Sequence, residues 1–377
     1  MKLNRRAFTA GLGAAGAAGL MMPRAARAAR DNELNILCWE GYNTDDVLSP
    51  FRDLHPGATV RAESGTSDPD MINKLRAGEV NVWDLINLNQ PWARGQLLPE
   101  GLIKPLTKDR FMPYFEKMAP EFSDPAYPLA FDAGGELIGM PQRYGPFSFV
   151  VNTDKISREM AEDQGWKLFL DPAMAGRYGV LTYDNWNLIH MCLTGDLNPF
   201  EPLDEAGFAT FTDVATQIFG GAKLLTDDLV AMNTALINGE IDAYFTGGTY
   251  TASPARLDGL TNVRGITPKS GPVGGKGGVV WIELTSVVNN PDPSPLAEDF
   301  LEFVQKPEIC KAVGFAEGTY NPVAQMGDEA VFSLWDADEL DAIQWDSLAE
   351  EMAGSVEYDV VADYDKLMEI YTAARRS

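Results

Sequence analysis

Short apolar runs that alternate with amphipathic stretches constrain this chain more than any other feature. Leu34-Asn35-Ile36-Leu37-Cys38 predicts a strand, and Thr44 and Asp45 then open a helix that ends before His55-Pro56-Gly57. A second strand is predicted over 59–62, a helix over 68–77 stopped by Gly78, and a third strand over 83–88. Strands separated by helices cannot close as hairpins, so they imply βαβ units and a largely parallel sheet. A Pro/Gly-punctuated stretch follows from Pro99 to Gly145, with one strand over 137–140. The alternation then restarts with a strand over 178–182, helices over 185–193, 204–219 and 227–238, and a strand over 241–245. Strand-like pieces at 279–284 and 286–288 precede helices over 296–304, 307–315 and 364–375. So long a chain exceeds what one core usually covers, and two α/β lobes joined by extended crossings fit it.

The first residues have a different character. Asn4-Arg5-Arg6-Ala7-Phe8 opens an apolar run over 8–22, and Ala26-Arg27-Ala28 follows it. That order predicts a twin-arginine export signal over 1–29, cut near Ala29, and therefore a periplasmic protein. The run is too short and too rich in Gly and Ala for a stable membrane span. No lipid-anchor cysteine sits at the cut, because the first cysteine is Cys38.

The formal charge is −25, and it becomes −30 once Lys2, Arg5, Arg6, Arg24 and Arg27 leave with the signal. So acidic a surface repels nucleic acid and anionic membrane and attracts cations. Cys38, Cys192 and Cys310 lie far apart in apolar runs, which suits buried free thiols, although one pair could bridge in an oxidising compartment. His55 and His190 have no ligand-like neighbours, so neither zinc nor a Ser-His-Asp mechanism is expected. No P-loop, GxSxG or GxGxxG stands at a strand-to-helix junction, so no cofactor and no metal is expected.

Several ordered segments carry a family resemblance. They are Leu37-Cys38-Trp39-Glu40-Gly41-Tyr42, Val82-Trp83-Asp84-Leu85-Ile86, and Gly101-Leu102-Ile103-Lys104-Pro105-Leu106. Gly139-Met140-Pro141, Val151-Asn152-Thr153-Asp154 and Asn238-Gly239-Glu240-Ile241-Asp242-Ala243 follow. Gly277-Gly278-Val279-Val280-Trp281-Ile282-Glu283 and Thr319-Tyr320-Asn321-Pro322 complete the series. In this order they resemble the periplasmic solute-binding proteins of ABC importers, above all the spermidine/putrescine-binding group, over essentially the whole chain after the signal. The resemblance implies an α/β, two-lobed periplasmic-binding-protein fold of type II, each lobe a mainly parallel sheet flanked by helices, with two hinge crossings. Residues 30–141 with about 285–335 would form the N-lobe, and 142–284 with about 336–377 the C-lobe. The lobes would close on a small solute and dock on membrane permease subunits; a monomer is expected.

The same resemblance implies the site. Trp39 and Tyr42 stand where the family lines its pocket, and the family's acid before the tyrosine is Gly41 here, with Glu40 shifted by one. Asp184 matches an acid that grips an amine, while Asn187 stands where polyamine binders carry a second one. Trp281 and Glu283 match a Trp-x-Asp pair, and alternation puts both on one strand face. Phe245 and Tyr320 occupy further aromatic positions. Asn89 replaces a small hydroxyl, Trp92 lies close by, and Glu357 and Tyr358 fall near an amide position. Arg143 lies at the crossing expected between the lobes, close to the cleft: aimed inward it opposes a polyamine and favours a solute with a carboxylate, while aimed outward or paired with a cleft acid it means little.

Three functions follow from these residues. The first is polyamine capture, with Glu283 and Asp184 holding the ammonium ends and Trp39, Tyr42 and Trp281 around the chain. The second is the same importer class with a zwitterionic amine, an amino acid derivative or opine-like compound, whose carboxylate meets Arg143. The third is a periplasmic enzyme on the same fold, which the missing nucleophile–base pair disfavours.

Overall fold

The computed structural model describes residues 30–316 and 318–376, so the predicted export signal over 1–29 lies outside the described residues. The strands are β1 (Glu33–Cys38), β2 (Thr59–Ser64), β3 (Leu85–Asn89), β4 (Ile103–Lys104), β5 (Met140–Asn152), β6 (Tyr178–Leu181), β7 (Leu224–Thr226), β8 (Ala243–Gly248), β9 (Val263–Ile266), β10 (Gly278–Val288), β11 (Phe315–Ala316), β12 (Thr319–Tyr320) and β13 (Ser355–Glu357). One mixed sheet runs β2-β1-β3-β10-β5-β8-β6-β7, with β4 and β13 on β10 and β9 on β5. β11 and β12 pair apart from it.

The sheet has two parallel halves, β2-β1-β3 and β8-β6-β7. Between them run the antiparallel strands β5 and β10, which pair with each other and with one half each. The architecture is α/β and two-lobed, with two long crossings. Strands β1 and β3 are buried along nearly their whole length, as expected where helices cover a parallel sheet, and so their sequences read as continuous apolar runs. One hydrophobic cluster draws side chains from both halves, and a smaller one sits under the helix Leu229–Ile237.

Most predicted elements appear within a few residues, and the crossings are where the sequence misleads. Of the strand expected over 137–140 only Met140 lies in a strand, as the first residue of β5, which continues to Asn152; Leu137 makes only a single bridge to Phe131. Pro141, Gly145 and Pro146 read as loop punctuation, but in β5 both prolines are paired to β10 in an irregular ladder. The two pieces expected at 279–284 and 286–288 are one strand, β10. Cys38, Cys192 and Cys310 are free and buried. Among the described residues no helix is long and apolar enough to cross a membrane.

Candidate functional site

Residues from the carboxyl ends of the parallel strands in both halves line one cleft of about 680 Å³. This is where open α/β sheets present ligand sites. Trp39 and Glu40 follow β1, residues 64–68 end β2 and enter the next helix, Asn89 ends β3, and residues 182–186 follow β6. The crossing strands supply Arg143 and Phe147 from β5, and Trp281 and Glu283 from β10.

At the floor lies an ion pair made by an irregular ladder. Ile282 pairs with Tyr144 and Leu284 with Pro141, so Gln142 and Arg143 together oppose Glu283 in a bulge. Bulges re-aim side chains, and this one brings Arg143 and Glu283 together. Arg143 Nε donates to Glu283 Oε2 at 3.0 Å and Nη2 to Oε1 at 2.9 Å. The Tyr42 hydroxyl donates to Oε2 at 3.0 Å, and the Arg143 guanidinium stands 4.9 Å over the Tyr42 ring. Arg143 is only 3% exposed and Glu283 5%. Burial pushes the Glu283 carboxyl up, against the pull of Arg143. Burial also works against the charge of Arg143, but Glu283 and Tyr42 more than offset it and hold the guanidinium above its ordinary value. Gly41 makes the room: its φ is +100°, and a Cβ there would lie 2.8 Å from Ala316 Cβ and 2.9 Å from Arg143 Nη1.

A second polar corner forms around Asp68, the first residue of the helix Asp68–Arg76. Its Oδ1 accepts from the Asn89 backbone N–H at 3.0 Å and its Oδ2 from Asn89 Nδ2 at 2.9 Å. Burial pushes its carboxyl up to about 7, and the Asn89 hydrogen bonds pull the other way. Asp70, Asp184 and Asn185 line the same cleft. Asp184 is half-exposed, with Oδ1 3.6 Å from Arg375 Nη1. Its neighbour Asn185 donates to the Tyr358 hydroxyl at 3.1 Å.

Of the residues expected from sequence, Trp39, Glu40, Asn89, Arg143, Asp184, Trp281 and Glu283 are brought together around the cleft. Arg143 is turned inward and paired with a cleft acid at once, two arrangements the sequence left as alternatives. The pairing changes the expected part of Glu283, whose charge is balanced inside the protein and is not left for an amine. Tyr42 stands behind it as a hydrogen-bond donor, 1% exposed. Phe245 is a correction: it is fully buried, edge-on to Trp166 and Phe169 at 5.5 and 5.1 Å between ring centres. Tyr320 is another, because alternation on β12 puts its neighbours Thr319 and Asn321 on the cleft instead. Its hydroxyl donates to Glu339 at 3.0 Å. Trp92 and Tyr358 are joined behind the wall by a 2.8 Å hydrogen bond, and Glu357 accepts from Tyr127. Asn187 is buried and donates to the Leu181 carbonyl and the Tyr371 hydroxyl.

Sequence reasoning missed Asp68 and the aromatic residues Phe147, Trp186, Tyr250 and Tyr364. Phe147 packs on Trp186 at 3.6 Å between ring centres and lies 6.1 Å from Trp281, so the three extend a wall along the cleft. Asp68 in Ser67-Asp68-Pro69-Asp70 reads as an ordinary helix start. Nothing local marks it as a cleft residue.

The lining carries five carboxylates, Glu40, Asp68, Asp70, Asp184 and Glu283, against the single guanidinium of Arg143. Such a cleft attracts cations and offers aromatic faces to hold them. His190 is not among its residues; it is buried, stacked on Trp166 at 4.2 Å, with burial lowering its pKa to about 3. Among the described residues no group of three or more His, Cys, Asp or Glu is placed to hold a metal ion.

Residues 84–351, more than half of the chain, match the model of a family described as bacterial extracellular solute-binding protein. Among solved structures, a spermidine/putrescine ABC transporter protein from Listeria monocytogenes is similar with a TM-score of 0.67 at 16% identity, over 90% of this chain and 99% of that one. The spermidine/putrescine ABC transporter substrate-binding protein PotD from Streptococcus pneumoniae has a TM-score of 0.63 at 16% identity, over 91% and 99%. The periplasmic binding protein MotA from A. tumefaciens B6, solved with glucopine, has a TM-score of 0.63 at 13% identity, over 91% and 99%. No curated protein matches the chain by sequence. At these identities the structural likeness speaks for the fold.

Proposed function

The chain belongs to the bacterial extracellular solute-binding proteins, and on that premise we propose that it is the periplasmic capture subunit of an ABC importer for a small cationic amine. A polyamine of the putrescine or spermidine kind is the first candidate. The observation that carries this reading is the excess of carboxylates over cations in an aromatic-walled cleft. Ammonium groups need charged acceptors, and methylene spacers need apolar or aromatic walls. The twin-arginine signal read from residues 1–29 supports the periplasmic placement.

In this reading residues 30–141 with about 285–335, and 142–284 with about 336–377, are the lobes that close on the solute. The closed monomer then docks on the permease subunits. A second reading is favoured by Arg143. It faces the cleft, and its Nη1 donates no hydrogen bond among the described residues. A solute with both an ammonium and a carboxylate, such as an opine-like compound, would place its carboxylate there.

A thermal-shift screen of unfolded and refolded protein without its signal decides between them. Refolding removes carried-over solute, and a ligand of the native state raises the melting temperature. A rise with putrescine or spermidine and none with carboxylated amines supports the polyamine. The opposite pattern supports the zwitterion, and no rise with any amine refutes both.

A further inference from the structure

The cleft has two polar corners, and only one is neutralised by the protein. Glu283 has Arg143 and Tyr42 on both of its oxygens. Asp68 is 2% exposed, yet no lysine, arginine or histidine among the described residues pairs with it. A buried carboxylate with hydrogen bonds but no counter-charge is costly to keep. Ser67, not Asp68, caps the helix, accepting from the Asp70 N–H at 3.2 Å, so the Asp68 side chain is not needed as the cap.

Asn89 adds the second observation. Its amide Nδ2 is given to Asp68, and its Oδ1 has no partner although Asn89 is only 3% exposed and lines the cleft. On the opposite half Asn185 Oδ1 also lacks a hydrogen-bond donor, and Asp184 Oδ1 has no hydrogen bond but an Arg375 guanidinium 3.6 Å away. Acceptors without donors therefore stand on both sides of the cleft, beside the indole N–H groups of Trp39 and Trp281 that lack acceptors, and a primary ammonium carries three N–H donors and one positive charge.

Resting on the amine reading above, we propose that Asp68 is the principal anionic anchor for the solute's ammonium, with Asn89 Oδ1 as its neutral co-acceptor, and that Glu283 serves to hold Arg143. The carboxyl of Asp68 is already raised by burial, as befits a carboxylate whose counter-ion arrives from outside. The titrating groups that share its field are Glu283 from β10, Tyr358, and Tyr364 at the start of the last helix. None of them is a cation.

The test uses the whole refolded protein with putrescine and lysine as probes. Calorimetry on Asp68→Asn should show binding of whichever probe the parent takes weakened about 10- to 100-fold, the value of one charge-assisted hydrogen bond. In the parent, the Asp68 carboxyl carbon is followed by NMR against pH with and without saturating probe. Its midpoint should fall by more than about one pH unit when the ammonium binds. A purely structural aspartate would not move. Undiminished affinity in Asp68→Asn, or an unmoved carboxyl in a parent that binds the probe, overturns the anchor and leaves the amine reading standing. A parent that binds neither probe overturns the amine reading itself. If Asp68→Asn does not fold, the parent titration decides alone.

Discussion

Arg143 and Glu283 meet across the bulge where the two crossing strands pair, through hydrogen bonds of 3.0 and 2.9 Å that are almost wholly shielded from water. A pair so buried is costly to break from one side. Glu283→Gln leaves an uncompensated guanidinium and should destabilise the protein by about 3–5 kcal/mol. Replacing both residues by methionine should recover most of that loss. Urea denaturation of Glu283→Met, Arg143→Met and the double measures it, and additive losses in that cycle would contradict a coupled pair.

Asp68 should make the unliganded protein pH-sensitive. Its folded-state carboxyl stands at about 7 against an ordinary 3.8, so the native state keeps its proton longer than the unfolded chain. The contribution is therefore favourable at low pH and is lost as pH rises between those two values. Asp68→Asn should melt higher than the parent at pH 8, and the difference should shrink toward pH 4. The unpartnered Asn89 Oδ1 makes this substitution tolerable, because an amide flip lets it accept from the new side chain. Parallel melting curves at several pH values would show it, and equal slopes for both proteins would argue against the raised carboxyl.

Trp39 and Phe245 should separate binding from stability. Trp39 is half-buried at the cleft, and Trp39→Leu should weaken amine binding by a cation–π contribution of about 0.5–2 kcal/mol, with little change in melting. Phe245 is wholly inside. Phe245→Ala should cost about 3–5 kcal/mol of stability and leave the dissociation constant of the folded protein nearly unchanged. Calorimetry with matched melts tests both, and a binding defect confined to Phe245→Ala would return that ring to the site.

Capture should slow with salt. Five carboxylates face one guanidinium in the cleft, on a chain of formal charge −25. Raising ionic strength from about 0.01 to about 1 M shortens the screening length from about 30 to about 3 Å. The association rate of a diamine, followed by fluorescence of the cleft tryptophans, should fall steeply over that range. A flat profile would mean that the acidic field does not steer the solute.

The sequence displays what repeats and conceals what is made by crossing. The parallel strands and their helices were legible because burial on both faces and capping leave local patterns, as in β1 and the helix Asp68–Arg76. β5 was not, since Pro141, Gly145 and Pro146 obey the geometry of an irregular ladder and not a local propensity. Trp39, Trp281 and Glu283 were legible through the family resemblance, with alternation putting the last two on one strand face. The pairing of Arg143 with Glu283 joins residues 140 positions apart, and no local spacing announces it. Asp68 escaped notice for the opposite reason: acids at helix starts are so common that the one turned into the cleft looks like all the others.

Gly41 carries a consequence for how such a site can change. A side chain at this position would collide with Ala316 and with Arg143, and its backbone conformation is one that only glycine adopts without strain. An acid just ahead of Tyr42, as in the polyamine binders the chain resembles, is therefore incompatible with the arginine seated beside it. Removing Arg143 alone does not make room for such an acid, because the contact with Ala316 and the left-handed backbone of Gly41 remain.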